Sequence, residues 1–342
     1  MSTDHEGVRD LLAAWAVGAL TPADQKTVPL HLAECESCAA EAERLRQTVR
    51  LLDGAPRPPL TNDAPAGIDG VLTVALRARP AAPRVASHAA PYAAAVAGLQ
   101  ALLRELDGHS PWGTPVVHDW DVHATVAHLI AADEPLARRL GLAARVPESR
   151  VAEGTGWADA WAGRTADVIA YEQRRTPEET VATWTAQAGA LLATPEARDP
   201  ERAAHATTLM GVRLPVADHF VVRAFEAWIH TDDIGRALGL AVPPPPDPHL
   251  WQLVRLAVRI LGLALGPTAP PVLFAVTGGE LDAQWVLGSE DEPVRAELVL
   301  DPVDFCLLVG GRYAPDEVPR GAAGDDAAIR DVLGRAASLA WL

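Results

Sequence analysis

The sequence predicts a mainly α protein in several parts, and three observations predict it. Apolar residues recur at helical spacing through the first 54 residues and again from Tyr92 to Gly239. Pro-rich tracts separate these stretches. Strand-like runs are confined to the region after residue 270. The expected organisation is a small helical domain over 1–54 and a linker with a short amphipathic helix over 55–91. A four-helix bundle follows over 92–242, and a small α+β domain over 243–342.

Each element has its own warrant. Val8, Leu11, Leu12 and Trp15 fall at i, i+3, i+4 and i+7, which makes the run to about Leu20 an amphipathic helix. Thr21-Pro22-Ala23-Asp24 reads as an N-cap with proline at the first helical position. In the linker, Ile68, Val71, Leu72 and Leu76 share one face of a helix expected at Gly67–Arg79. The bundle should hold helices near 92–107, 121–141, 155–194 (interrupted near Thr176-Pro177) and 215–238. Beyond the stiff tract Pro243–Pro246, a helix at about 249–265 precedes strands at 272–277, 283–287 and 294–300, then helices near 302–309 and 326–338.

The chain has 342 residues and a net charge of −16. That charge argues against a general basic surface for nucleic acid or anionic membrane; a protein with a basic face or a small molecule fits better. Lys26 is the only lysine among 29 basic residues, which reflects coding bias more than physics. The acidic N-terminus has no signal-type apolar core, and the most apolar stretch, Val254–Leu265, is interrupted by Arg255 and Arg259. A cytoplasmic protein without a membrane span is expected. Of three cysteines, two form a C-x-x-C, which in a reducing compartment points to metal or redox chemistry.

His31, Cys35 and Cys38 stand in HLAECESC with the spacing H-x3-C-x2-C. On one continuous helix these positions share a face, and His5, ahead of the first helix, is the natural fourth ligand of a tetrahedral zinc. Residues 1–80 resemble the zinc-associated anti-sigma domain through VRDLLAAWAVGALTPAD and HLAECESCAAEAERL. The resemblance implies a sigma-factor partner, with Gly67–Arg79 in the place of the helix that wraps it; a helix packed on its own chain is the alternative. It leaves open whether the zinc is a redox sensor or a staple.

In the bundle, His128 lies in WDVHATVAHLI, while Glu226 and His230 stand one turn apart in RAFEAWIHTDDIGRALG. Two imidazoles and a carboxylate on inward faces are three convergent donors that leave a coordination position open. Asp233 or the adjacent Asp232 could orient an imidazole from behind. Trp120, Val122, His128 and Leu129, then E-x3-H-x2-D ending in A-L-G, resemble the mycothiol-dependent maleylpyruvate isomerase family, whose bundle is DinB-like. The likeness covers about 92–342. It implies a divalent metal, expected to be zinc, on His128, Glu226 and His230, with mycothiol as a co-substrate. It also implies a pocket arginine, for which Arg312 in Gly310-Gly311-Arg312 is the best match. A metal-bound thiolate adding to an activated alkene would permit cis–trans isomerisation or thiol transfer, with Arg312 holding a substrate carboxylate.

His88, His109, His118, His205 and His249 read as solvated loop residues, His123 and His219 lack a partner at ligand spacing, and Cys306 reads as a buried small hydrophobe. Three functions compete: a regulator whose bundle binds a small thiol or metabolite and whose zinc module binds a sigma factor, a metal- and mycothiol-dependent enzyme, and a pure interaction protein.

Overall fold

The computed structural model describes residues 5–16, 20–21, 24–53, 84–106, 112–149, 155–278 and 282–339, and the chain divides into two compact units, Met1–Ala81 and Ala82–Leu342. Gly67–Arg79 and His109 lie outside the described residues.

The first unit contains α1 (His5–Ala16), α2 (Asp24–Glu34) and α3 (Glu36–Asp53). Thr21 does cap α2: its Oγ1 accepts the Asp24 amide at 3.3 Å. Val8, Leu12, Val28, Cys38 and Ala42 form the buried core, and Arg46 stacks over Trp15, 3.7 Å from the ring centroid. The continuous helix expected through the H-x3-C-x2-C motif is instead broken at Cys35. The reason is dimensional. Seven helical residues rise about 10 Å, too far for their donors to meet on one ion.

The second unit opens with α4 (Ala90–Glu105), a short hairpin of β1 (Pro115–Val117) and β2 (Trp120–Asp121), then α5 (Val122–Arg139). Asp121 caps α5 by accepting the Ala124 amide at 2.7 Å, so that His128 falls two turns into the helix. The stretch expected at 155–194 is two helices, α6 (Trp157–Glu172) and α7 (Pro177–Leu192). Pro177 holds Thr176 extended, and Thr176 and Glu179 form a capping box that starts α7. Two single-turn helices follow, α8 (Pro195–Arg198) and α9 (Pro200–Ala203), then the hairpin β3 (Ala206–Leu209) and β4 (Val212–Pro215), and α10 (Val216–Leu238). Helices α4, α5, α7 and α10 make the bundle, with α6 lying on α5. α10 is buried on nearly every face and ends at Gly239, whose left-handed φ of 68° favours glycine.

The remainder comprises α11 (Asp247–Leu265), β5 (Val272–Val276), β6 (Ala283–Leu287), β7 (Ala296–Leu300), α12 (Pro302–Val309), β8 (Gly321–Gly324) and α13 (Asp326–Ser338). The sheet order is β6-β5-β7-β8, with β5 parallel to β7 and the two outer pairings antiparallel. This α+β segment shares one continuous hydrophobic core with the bundle, so the two form a single unit. Among the described residues, no helix is long and apolar enough to cross a membrane.

Candidate metal centres

In the first unit the donor atoms of His5, His31, Cys35 and Cys38 all lie within 4.8 Å of one another. His31 lies in the last turn of α2, Cys35 occupies the break, Cys38 is in the first turn of α3 and His5 begins α1. His5 Nδ1 stands 3.6 Å from the sulfur of Cys35 and 3.6 Å from that of Cys38. Zn–N and Zn–S bond lengths place neighbouring donors of a tetrahedral zinc about 3.3–3.6 Å apart, so these separations fit. The Ser37 hydroxyl, 3.2 Å from the Cys35 sulfur, favours its thiolate and brings that thiol down to about 6. Burial and the neighbouring Cys35 push Cys38 the other way.

In the second unit His128 on α5 meets Glu226 and His230 on α10, and their donor atoms also lie within 4.8 Å of one another. Glu226 Oε2 is 3.5 Å from His128 Nε2 and 3.4 Å from His230 Nε2, again the edge lengths of a metal polyhedron. The three residues are 1%, 0% and 1% exposed, so bulk solvent does not reach them. Both carboxylate oxygens of Glu226, both ring nitrogens of His128 and Nε2 of His230 lack a hydrogen-bond partner among the described residues. Each such buried orphan costs about 1–3 kcal/mol. An ion bound by these atoms would remove most of that cost, and the donor set suits a divalent metal of the zinc type.

Two family models match the chain. Residues 92–235 match the one described as mycothiol maleylpyruvate isomerase N-terminal domain, and residues 6–39 match a zinc-finger model. The two matches fall on separate segments of the chain. Two solved structures are similar to the chain: the mycothiol-dependent maleylpyruvate isomerase, with TM-score 0.48, and a histidine-to-alanine mutant of it, with TM-score 0.47. Each is 14% identical and covers 68% of this chain and 91% of its own. No curated protein matches the chain.

In the isomerase-type domain, burial alone would raise Glu226, yet His128, His230 and Arg223 hold it below the usual carboxylate range. Burial lowers His128. It would lower His230 too, but Asp233 and Glu226 outweigh it and the imidazole is raised. Asp233 Oδ2 accepts from His230 Nδ1 at 3.0 Å, which fixes the tautomer and turns Nε2 toward Glu226. Asp232, the other candidate for this role, pairs with Arg236 instead. Trp120 stacks on the His128 ring at 4.5 Å between centroids, and Trp161 meets that ring edge-on at 6.1 Å.

Arg312 reaches the site in an unexpected role. Its Nε donates to Asp233 Oδ1 at 3.0 Å, its Nη2 to Asp233 Oδ2, and its Nη1 to the Gly310 carbonyl. The fork expected to hold a substrate carboxylate is thus closed on Asp233. The G-G-R turn makes this reach possible: a Cβ on Gly310 would lie 3.1 Å from Ile229 of α10, and Gly311 adopts a φ of 72°. Two histidines with bland sequence readings, His118 and His219, lie here, together with Arg223, which no sequence motif singles out. His118 has a φ of 53° and packs edge-on against Trp120 at 4.9 Å, while His219 and Arg223 are buried on α10. A signal for these last two was present. Positions 219, 223, 226, 230 and 233 are spaced by four, three, four and three, a polar stripe along one helical face.

Proposed function

We propose that the chain is a regulator in which the isomerase-type domain binds a low-molecular-weight thiol at a metal held by His128, Glu226 and His230, and the zinc-finger domain binds a sigma factor. The observation that carries the first half is the fully buried cluster of three residues on two helices, whose facing donor atoms have no hydrogen-bond partner among the described residues. Bound there, a divalent ion would supply Lewis acidity that favours thiolate over thiol. The chain's own contribution is orientation. Asp233 holds His230, and Arg312 holds Asp233, so Arg312 is a positioning residue rather than a clamp for substrate.

Calorimetry of the metal-loaded full chain with mycothiol tests this reading. Saturable binding is expected, lost in His128→Ala with the zinc-finger metal retained. The complete donor set equally favours an enzyme, and turnover of maleylpyruvate in the presence of mycothiol would select that reading. Neither binding nor metal-dependent reaction would overturn both.

The second half rests on the zinc-finger match and the resemblance of residues 1–80 to an anti-sigma domain. A tagged 1–80 fragment is expected to capture a sigma factor from the host's set, and deletion of Gly67–Arg79 to weaken capture by removing apolar contact area. If thiol binding is the input, mycothiol should shift sigma affinity of the full chain by about 5-fold or more. Failure of the fragment to retain any sigma factor would remove this output.

A further inference from the structure

One turn before Glu226, Arg223 carries a permanent charge at 4% exposure. Its Nη1 donates to the Ala132 carbonyl at 2.6 Å and lies 3.7 Å from Glu226 Oε1. Among the described residues, Nε and Nη2 have no hydrogen-bond partner, although a guanidinium has five N–H groups to satisfy. Glu226 Oε2 faces the two imidazoles, and its Oε1 faces Arg223. Nearby Asp133 accepts the Tyr92 hydroxyl at 2.6 Å. Arg223 is therefore a buried cation that keeps N–H groups in reserve beside its ion pair with Glu226.

Arg223 faces a cavity of about 390 Å³ whose other walls are chiefly apolar, among them Leu136, Trp161, Leu214 and Val222. His219, 5% exposed, lines it too. Its Nε2 lies 3.1 Å from the Thr207 carbonyl, which can only accept, so Nδ1 is left as a bare acceptor. The rim is built by the β3–β4 turn, where Met210 and Gly211 have φ of 50° and 76°. A Cβ on Gly211 would come within 2.8 Å of the Trp157 ring, so glycine alone lets the turn seat on that indole.

We propose that this cavity binds a hydrophobic monocarboxylate, with the carboxylate on Arg223 and the apolar body between Trp157, Trp161, Leu214 and Val222. The chemistry follows from the lining. One buried guanidinium asks for one anionic group, Arg223 is the only cationic side chain of permanent charge on the walls, and the rest offers dispersion and desolvation. The site needs no metal, although Arg223 and Trp161 border Glu226 and His128 of the donor cluster.

The test titrates the full metal-loaded chain with sodium octanoate and, in parallel, with octanamide, read by calorimetry. Octanoate is expected to bind at least about tenfold more tightly, the difference a charge-assisted hydrogen bond makes. Ala158→Trp fills the cavity from an exposed rim position, and Trp157→Ala removes a wall. Each should weaken octanoate binding at least about tenfold with helical content and metal content unchanged. Arg223→Gln should abolish the preference for acid over amide; the two rim variants keep the test decisive where that variant does not fold. Octanoate should still bind after the metal is removed by chelation. Equal affinity for acid and amide, absence of octanoate binding, insensitivity to both rim variants, or binding that vanishes with the metal would each overturn the proposal.

Discussion

Glu226→Gln is expected to lower the affinity of the isomerase-type domain for a divalent metal by at least about 100-fold, beyond the range seen when only an orienting partner is lost. The substitution keeps the shape of the side chain and removes the one anionic donor among His128, Glu226 and His230. The fold should tolerate it better than the metal does. In the metal-free protein the carboxylate is itself a buried charge held by imidazoles and Arg223, and an amide does not require that compensation. The native affinity should also fall with acid, because the two imidazoles bind metal only when deprotonated. Asp233 raises His230, so protons compete there from a higher pH than at a free imidazole. Competition against a chromogenic chelator between about pH 5.5 and 8 measures both effects. Unchanged affinity in Glu226→Gln would place the metal elsewhere.

Much of this architecture was legible because it rests on periodicity. α4, α5, α10 and the C-terminal helices α12 and α13 fall within a few residues of the apolar pattern that predicts them. What was not legible has physical reasons. The β1–β2 pair is too short to show alternation, and β8 is Gly-Ala-Ala-Gly, with no intrinsic strand preference; its pairing with β7 makes it a strand. At the His5, His31, Cys35 and Cys38 cluster the residue types were visible, but the break at Cys35 was not, because helical spacing alone takes no account of how small an ion is. In the bundle, E-x3-H placed Glu226 and His230 on one face. The choice between Asp232 and Asp233 depended on which direction His230 faces, and the engagement of Arg312 by Asp233 is a contact across 79 positions of sequence that no local pattern encodes.

Cys38→Ser is expected to unfold the zinc-finger domain while the second unit melts unchanged. Among the described residues the first unit fully buries Val8, Leu12, Val28, Cys38 and Ala42, with residues such as Leu11 and Trp15 partly buried against them, a small apolar core for the ordering of three helices. Structural zinc contributes about 10–16 kcal/mol in comparable small domains, and for them binding is folding. Cys38 sits at the junction of both requirements: its sulfur is 3.6 Å from His5 Nδ1, and its side chain belongs to the buried core. Serine keeps nearly the same volume but buries a hydroxyl, so parallel loss of structure on chelating the metal from the native chain is expected to identify the metal as the cause. The second unit has its own extensive core and should keep its melting transition. Zinc content should drop by one equivalent, and amide protection across 5–53 should disappear in hydrogen exchange. A Cys38→Ser protein that retains protected helices α1 to α3 without metal would show that the zinc is an accessory to this fold and not its support.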